Sequence, residues 1–561
     1  MSAFKSNLNP EFRSKFSEDI FNHKYRHEGA ETWDALAKTL INDVCGDLLT
    51  KEEVDQLITY VREMKFIPGG RYLYYAGRPN KFFNNCYLLK AEEDSREDWA
   101  NLSWKSENCL MTGGGIGIDY SIYRASGTPI SKTGGTASGP IPKMEMINSI
   151  GSKVMQGGSR RSAIYASLNW KHGDIHDFLK AKDWASMPVG STGKTLWDIK
   201  QEDFNYPAPL DMTNISVNYD TEWLLNYYKT GEVGEVFMQN VKQAMQTAEP
   251  GFSFNFFDKE NETLRNACTE VTSDSDSDVC NLGSVNMGRI TDIDEMSNVV
   301  ALATKFLICG TLKAKLPYDK VYKVREKNRR LGLGLMGMHE WLIQRGSKYE
   351  VTPELHSWLQ VYRGVSDKVS RETADAFSIS RPVANRAIAP TGSIGILAGT
   401  STGVEPIFAV AYKRRYLKGT NRWVYQYVVD SAAQTLIDRY GAQPDNVESA
   451  LDLAEDYERR MSFQADVQDY VDMSISSTIN LPSWGSKLNN EGTVEKFANT
   501  LAKYAPRLRG FTCYPDGSRG GQPLTSVPYQ EAVDKLGEEF DEHVETHDIC
   551  DITGTGGSCG V

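Results

Sequence analysis

Asn266-Ala267-Cys268-Thr269-Glu270, followed by an acidic serine run and then by Cys280-Asn281-Leu282, is the stretch on which the reading of the whole chain turns. Side chains alternate faces in an extended segment, so Asn266, Cys268 and Glu270 are expected on one side of a strand or loop tip. A carboxylate beside a sulfur raises the thiol pKa and disfavours the thiolate. The trio therefore suits a neutral S–H that gives and takes a hydrogen atom, with Glu270 as base on a substrate hydroxyl and Asn266 holding it by hydrogen bonds. A packed cysteine with two solvated polar neighbours is the plain alternative, and five residues alone leave both readings open.

The five residues resemble the N-x-C-x-E finger loop of ribonucleotide reductases, and Asp278-Val279-Cys280-Asn281-Leu282-Gly283-Ser284 resembles the next cysteine segment of that family. The resemblance implies that Cys268 carries a thiyl radical. Phe83-Asn84-Asn85-Cys86-Tyr87-Leu88-Leu89 reads as a short strand, and by the same resemblance Cys86 and Cys280 form the redox pair that is oxidised to a disulfide. Two buried apolar-like cysteines are the alternative.

The chain has 561 residues, 40% hydrophobic and 24% charged, in the range of an ordinary globular enzyme with a substantial core. A net charge of -12 argues against general adhesion to nucleic acid but leaves room for a local phosphate pocket. The opening residues lack the apolar core of a signal peptide, and no run of about 18 apolar residues suggests a membrane span. Nine scattered cysteines without paired CxxC spacing point to a reducing cytoplasm with a few redox-active thiols and no zinc site.

Three regions are expected. Residues 1–65 form a small helical region, in which Thr50 and Glu53 make a capping box before Val54, Leu57, Ile58 and Val61 at helical spacing. Larger reductases of the family it resembles carry an ATP cone before the barrel, and this region is expected to lack a full one. Residues 66–530 form the catalytic region. The pattern itself supports an α/β class of alternating helices and strands. The resemblance implies a ten-stranded α/β barrel of two antiparallel five-stranded halves with the finger loop inside. Residues 531–561 form a flexible tail. Its glycine- and serine-rich end carries Cys550 and Cys559, which could pass reducing equivalents inward by thiol exchange. They lie further apart than the family's usual tail pair.

Other segments match in order. Asp94, Ser95 and Arg124 align with residues that bind a deoxynucleotide or ATP effector. Gly157, Gly158, Ser159 and Arg160 resemble the mobile loop that couples effector to substrate choice, with a solvated basic turn as the alternative. Ala389-Pro390-Thr391-Gly392-Ser393-Ile394 suits an anion cradle at a helix start, and in the family Pro390, Thr391, Gly392, Ser393 and Ile394 hold the substrate phosphates. A plain helix cap is the other reading. Gly113 to Ile118 is glycine-rich, which lets backbone amides approach a ligand, but lacks the P-loop pattern. Arg329 to Gly337 resembles a family helix start. His176 has Leu179 where a cobalt-ligating Asp-x-His-x-x-Gly motif needs glycine, so it reads as an ordinary helix residue.

The source of the radical divides the candidates. Metal-dependent relatives receive it from a ferritin-like partner through two adjacent tyrosines on the last barrel strand. Here that strand reads Cys513-Tyr514, and the pairs Tyr74-Tyr75 and Tyr227-Tyr228 lie elsewhere. The chain is therefore expected to resemble the adenosylcobalamin-dependent class. The large subunit of a metal-radical enzyme and a non-catalytic nucleotide-binding regulatory protein are the alternatives. A binding module has no need of Cys86, Cys268, Glu270 and Cys280 together. The expected partners are a ribonucleotide substrate, a deoxynucleotide or ATP effector, a thioredoxin- or glutaredoxin-like reductant and a second copy of the chain.

Overall fold

A computed structural model describes residues 12–131, 134–154, 162–203, 206–418, 422–518 and 524–543. Its strands are β1 (Phe66–Pro68), β2 (Cys86–Leu89), β3 (Gly115–Asp119), β4 (Ile164–Asn169), β5 (Thr213–Tyr219), β6 (Gly251–Phe254), β7 (Leu264–Arg265) and β8 (Thr272–Ser273). They continue with β9 (Asp278–Asn286), β10 (Leu331–Met336), β11 (Ala411–Lys418), β12 (Arg422–Val429), β13 (Thr478–Leu481), β14 (Gly510–Pro515), β15 (Leu524–Ser526) and β16 (Glu539–His543).

The mixed α/β architecture centres on a ten-stranded sheet of order β1-β9-β2-β3-β4-β5-β6-β14-β13, with β10 on β9. Strands β2 to β6 run parallel to one another. Parallel neighbours need crossovers, usually helical, and the helices Arg96–Met111, Pro140–Lys153 and Glu235–Thr247 lie between successive strands here. The direction reverses at both ends of this run, where β9 is antiparallel to β2 and β14 is antiparallel to β6. Beyond the reversals, β10 is parallel to β9 and β13 to β14. Single parallel bridges join Leu333 to Arg386 and Ile388 to Ile475.

The capping box forms as expected. Thr50 N donates to Glu53 Oε2 at 3.1 Å and Glu53 N to Thr50 Oγ1 at 3.3 Å, opening the helix Lys51–Arg62. Residues of this helical region do not have a core of their own. Leu36, Ile41 and Leu57 belong to one apolar cluster with Phe66, Phe306 and Trp341. That cluster surrounds the helix Ile293–Lys313, among the described residues the one helix long and apolar enough to cross a membrane, with 61% of its apolar window buried in the protein.

Two expectations are corrected. Arg329 to Gly337 is not a helix start: Leu331–Met336 is strand β10, buried throughout. Its glycines lie against neighbouring chain, since a Cβ at Gly332 would come within 2.4 Å of Leu282 and one at Gly334 within 2.7 Å of the Ala387 carbonyl. The tail boundary at 531 falls inside the helix Tyr529–Asp534, which packs on a second sheet of order β15-β11-β12-β16. Residues to His543 therefore belong to the folded part.

Candidate active site

The site begins with a register. Cys86 on β2 sits directly opposite Cys280 on β9. Directly opposed residues on antiparallel strands have Cα atoms about 4.5–5.5 Å apart, inside the roughly 4.4–6.8 Å that a disulfide spans. Both are thiols not joined in a disulfide, 2% and 0% exposed. Burial pushes the Cys280 thiol well up; Arg330 opposes this, while Asp278 and Glu270 add to it. Cys280 is thus a neutral S–H at rest.

The hairpin β7–β8 carries the Asn266 to Glu270 segment between its strands. The segment is a tight turn and not an extended run, which corrects the expected alternation. Thr269 N donates to the Asn266 carbonyl at 2.9 Å, and Thr269 takes a left-handed φ of 71°. Cys268 retains 6% exposure, whereas Asn266 and Glu270 are fully buried. Asn266 has a structural duty here: Nδ2 donates to Cys86 Sγ at 3.0 Å and Oδ1 accepts from Val271 N at 2.9 Å. Asn214 on β5 donates to the Ala267 carbonyl at 3.4 Å, and Ser474 N donates to the Glu270 carbonyl at 2.8 Å.

The glycines of β3 serve this turn instead of cradling a phosphate. A Cβ at Gly117 would lie 1.6 Å from the Arg265 carbonyl oxygen, and one at Gly115 would lie 3.3 Å from Ala267 Cβ. The chain crosses β3 so closely that no side chain fits between. This close approach is what the glycine-rich sequence provides for.

Both Glu270 carboxylate oxygens lack a hydrogen-bond partner among the described residues. Burial raises the carboxyl to about 7, and the nearby Asn266 amide offsets only part of that. An acid poised near neutrality, with no strong hydrogen bond of its own, can give or take a substrate proton. The acidic run that follows is exposed at Asp274 and then folded in: Asp276 binds Lys105 at 2.8 Å and Lys320 at 2.7 Å, and Asp278 binds Arg330 at 3.0 Å.

Pro390 to Ile394 form a buried turn opening the short helix Gly392–Ala398, with Thr391 at φ 50°. Thr391 Oγ1 accepts from Gly403 N at 2.8 Å, and Lys24 Nζ donates to Ser393 Oγ at 2.8 Å. Lys24 gave no signal in the sequence, because its partner is 369 positions away. Asp94 and Arg124 meet: Arg124 Nε donates to Asp94 Oδ2 at 2.5 Å, while Ser95 caps the helix Arg96–Met111 through Asp98 N. A groove of about 450 Å³ beside them is lined by Glu92, Glu93, Ser95, Glu97, Asp98 and Asn101. Its carboxylates suit sugar hydroxyls better than phosphates, and Arg124, Lys320 on Glu92 and Arg96 on Glu97 are cations at its edge. Gly157, Gly158, Ser159, Arg160, Cys550 and Cys559 lie outside the described residues. His176 is an exposed helix residue bonded to Gln239 at 3.0 Å. Tyr74-Tyr75 and Tyr227-Tyr228 lie in helices, and on β14 Tyr514 stands beside buried Cys513.

Residues 84–357 and 383–510 match the protein family described as "Ribonucleotide reductase, barrel domain". The chain is 27% identical over 540 residues to a vitamin B12-dependent ribonucleoside-diphosphate reductase of Mycobacterium tuberculosis (strain CDC 1551 / Oshkosh), covering 87% of this chain and 75% of that protein. A protein of the same description from Thermoplasma acidophilum is 27% identical over 521 residues, covering 82% of this chain and 65% of that one. Among solved structures, the class Id ribonucleotide reductase alpha subunit of Actinobacillus ureae superposes with a TM-score of 0.68 at 15% identity, covering 90% of this chain and 97% of that one.

Proposed function

Since the chain belongs to the ribonucleotide reductase barrel-domain family, we propose that it reduces ribonucleotides to 2'-deoxyribonucleotides through a thiyl radical on Cys268. The observation that carries this reading is the joining of the Cys268 turn to the Cys86/Cys280 register by the Asn266 amide. The balance is closed by those residues. The ribose 2'-hydroxyl leaves as water, and the Cys86 and Cys280 thiols supply two electrons and two protons as they become a disulfide. The hydrogen atom that Cys268 takes from the ribose is returned at the end. Glu270, with its carboxyl near 7, moves the proton of a substrate hydroxyl.

We read a closed barrel of ten strands, in which β1 stands outside the ring and the segment about 386–388 takes a place in it. β2 to β6 make one five-stranded half. β9, β10, the segment about 386–388, the segment from Ile475 through β13, and β14 make the other. The two single bridges support the closure, and the Asn266 to Glu270 turn is the finger loop. The Pro390 to Ile394 turn takes the substrate phosphates, Asp94, Ser95 and Arg124 take a deoxynucleotide or ATP effector, and Gly157 to Arg160 relay that choice. A thioredoxin- or glutaredoxin-like protein regenerates the thiols through Cys550 and Cys559. A second copy is the expected partner, supported by exposed Trp104, Met111 and Met146 on the helices Arg96–Met111 and Pro140–Lys153.

For the radical source, the relatives described as vitamin B12-dependent favour adenosylcobalamin. The chain fits that source in one respect: β14 offers one phenol, Tyr514, beside a thiol. When bound, the cofactor supplies the radical that Cys268 comes to hold. The fold shared with a class Id alpha subunit keeps a second reading, a partner-fed radical, in view. Purified protein given ribonucleotide, a dithiol and adenosylcobalamin alone should form deoxynucleotide, and Cys268→Ser should form none while still binding nucleotide. Activity in Cys268→Ser would overturn the site, and activity that needs a metal-loaded subunit would overturn the cofactor.

A further inference from the structure

Arg265 immediately precedes the turn and is among the largest fully buried side chains of the protein, 1% exposed. Its backbone pairs with Thr272 across the hairpin, and its carbonyl occupies the place a Gly117 side chain would take. Its guanidinium leaves the hairpin. Nη2 donates to Asn255 Oδ1 at 2.7 Å, just past the end of β6, and to the Arg509 carbonyl at 3.2 Å, just before β14. Nη1 donates to the Leu264 carbonyl at 3.2 Å and to the Glu262 carbonyl. Arg509 in turn binds Glu262 Oε2 at 3.1 Å, and Thr272 Oγ1 donates to the same oxygen at 2.8 Å.

One planar fork thus ties the stem of the turn to the antiparallel seam between β6 and β14, on strands that carry none of the reacting residues. A guanidinium is suited to this because its donors diverge in a rigid plane, which an ammonium cannot reproduce. The crossing over Gly117 leaves the stem no slack, so the position of Arg265 passes directly to Asn266 and Cys268.

We propose that Arg265 is the positioning residue of the catalytic turn, clamping it to the β6/β14 seam so that Cys268 is held in register with the Cys86/Cys280 pair; this rests on the thiyl-site reading above. It acts through Asn266 and Cys268 and touches no substrate. A displacement of about 1 Å at a reacting group can cost on the order of 100-fold in rate. The loss should therefore appear in kcat, with KM unchanged, because the phosphate and effector segments are built elsewhere.

The test compares wild type, Arg265→Met, Arg265→Lys, Asn255→Ala and Cys268→Ser by steady-state kinetics and thermal unfolding. Arg265→Met should lose about 100-fold in kcat with KM within about twofold. Arg265→Lys should recover part of that rate, and Asn255→Ala, which removes one acceptor and leaves the arginine in place, should fall between. Wild-type kcat in Arg265→Met overturns the clamp, as does unchanged kcat in Asn255→Ala or a loss in KM in place of kcat. If Arg265→Met does not fold, Arg265→Lys and Asn255→Ala decide by the same criteria. Full activity in Cys268→Ser overturns the active-site reading instead, and is read independently of the arginine variants.

Discussion

Asn266 donates to the Cys86 sulfur across 3.0 Å, so the residue that closes the catalytic turn also holds one member of the cysteine pair. Turn and reductant are one hydrogen-bonded unit. Whatever moves the turn moves the Cys86 thiol with it.

Removing that amide should separate the two. Asn266→Ala leaves the Val271 N–H buried without its acceptor, a cost of about 1–3 kcal/mol. It also removes the amide's hydrogen bond to Cys86. Urea unfolding should show the lost stability, and turnover should fall well beyond what that loss explains. A variant that unfolds like wild type and turns over normally would remove Asn266 from both duties.

Glu270 makes folding sensitive to pH. Its folded carboxyl titrates at about 7 because of burial, against an ordinary value of 4.5. The group's contribution is therefore fully present below about pH 4.5 and is lost as pH rises through 7. The shift corresponds to ~3 kcal/mol. Glu270→Gln should be more stable than wild type at pH 8, by an amount up to that value, and no more stable at pH 4.5, while losing turnover. Stability curves measured across this range would check the sign. A variant destabilised equally at both pH values would show that the buried carboxyl is ionised without cost.

Two glycine substitutions should act in opposite directions. Gly117→Ala drives a methyl into the Arg265 carbonyl, and overpacking of this kind costs about 1–3 kcal/mol or displaces the turn. Gly364, within the helix Pro353–Ala376, has open space around it. Gly364→Ala should stabilise by about 0.5–1 kcal/mol through helix propensity and leave kcat alone. Thermal unfolding and turnover of the pair distinguish a glycine required by close approach from one that is merely tolerated.

These positions mark what the sequence could and could not tell. Asn266, Cys268 and Glu270 could be singled out as candidates because their residue types and spacing are unusual together, and the structure brings Asn266 onto Cys86 and Cys86 opposite Cys280. The shape of the turn was not, because alternation assumes extended backbone and Thr269 adopts φ 71°. The β3 glycines were visible, but whether a ligand or the chain's own stem filled the space depended on Arg265, which lies about 150 positions later. The Leu-Gly alternation in Leu331 to Leu335 carried a period of two that fits strand β10, and a helical family analogy overrode it. Lys24 and Arg265 escaped notice for a common reason. Each looks like an ordinary surface cation until the fold brings it to a partner far along the chain, Ser393 for Lys24 and the Arg509 carbonyl for Arg265.

The tail offers a separable function. If Cys550 and Cys559 carry electrons inward, replacing both by Ser should stop multiple turnover with a protein dithiol yet permit about one turnover from pre-reduced Cys86 and Cys280. Product formed per chain in a rapid-quench assay gives the number directly. Normal multiple turnover with the same protein dithiol would make the tail a passive arm.

Tyr514 separates the two radical sources. It lies on β14 in register with Asn480 of β13, half-buried, next to Cys513, whose thiol burial pushes up to about 12. A relay along this strand from a partner subunit would need oxidation of the phenol O–H. Tyr514→Phe keeps the ring's packing and deletes only that O–H. If the radical arises beside Cys268 from adenosylcobalamin, the variant loses no more than a hydrogen bond, on the order of 1 kcal/mol, or about tenfold in rate at most. If a partner feeds the radical, the same variant should be inactive whatever the cofactor supplied. Assays run with adenosylcobalamin alone, and separately with a metal-loaded ferritin-like subunit, give the two cases different signatures. Activity that ignores adenosylcobalamin, requires the subunit and vanishes in Tyr514→Phe would replace the cofactor assignment, while the thiol chemistry at Cys268, Cys86 and Cys280 would stand, because either source delivers the radical to the same sulfur.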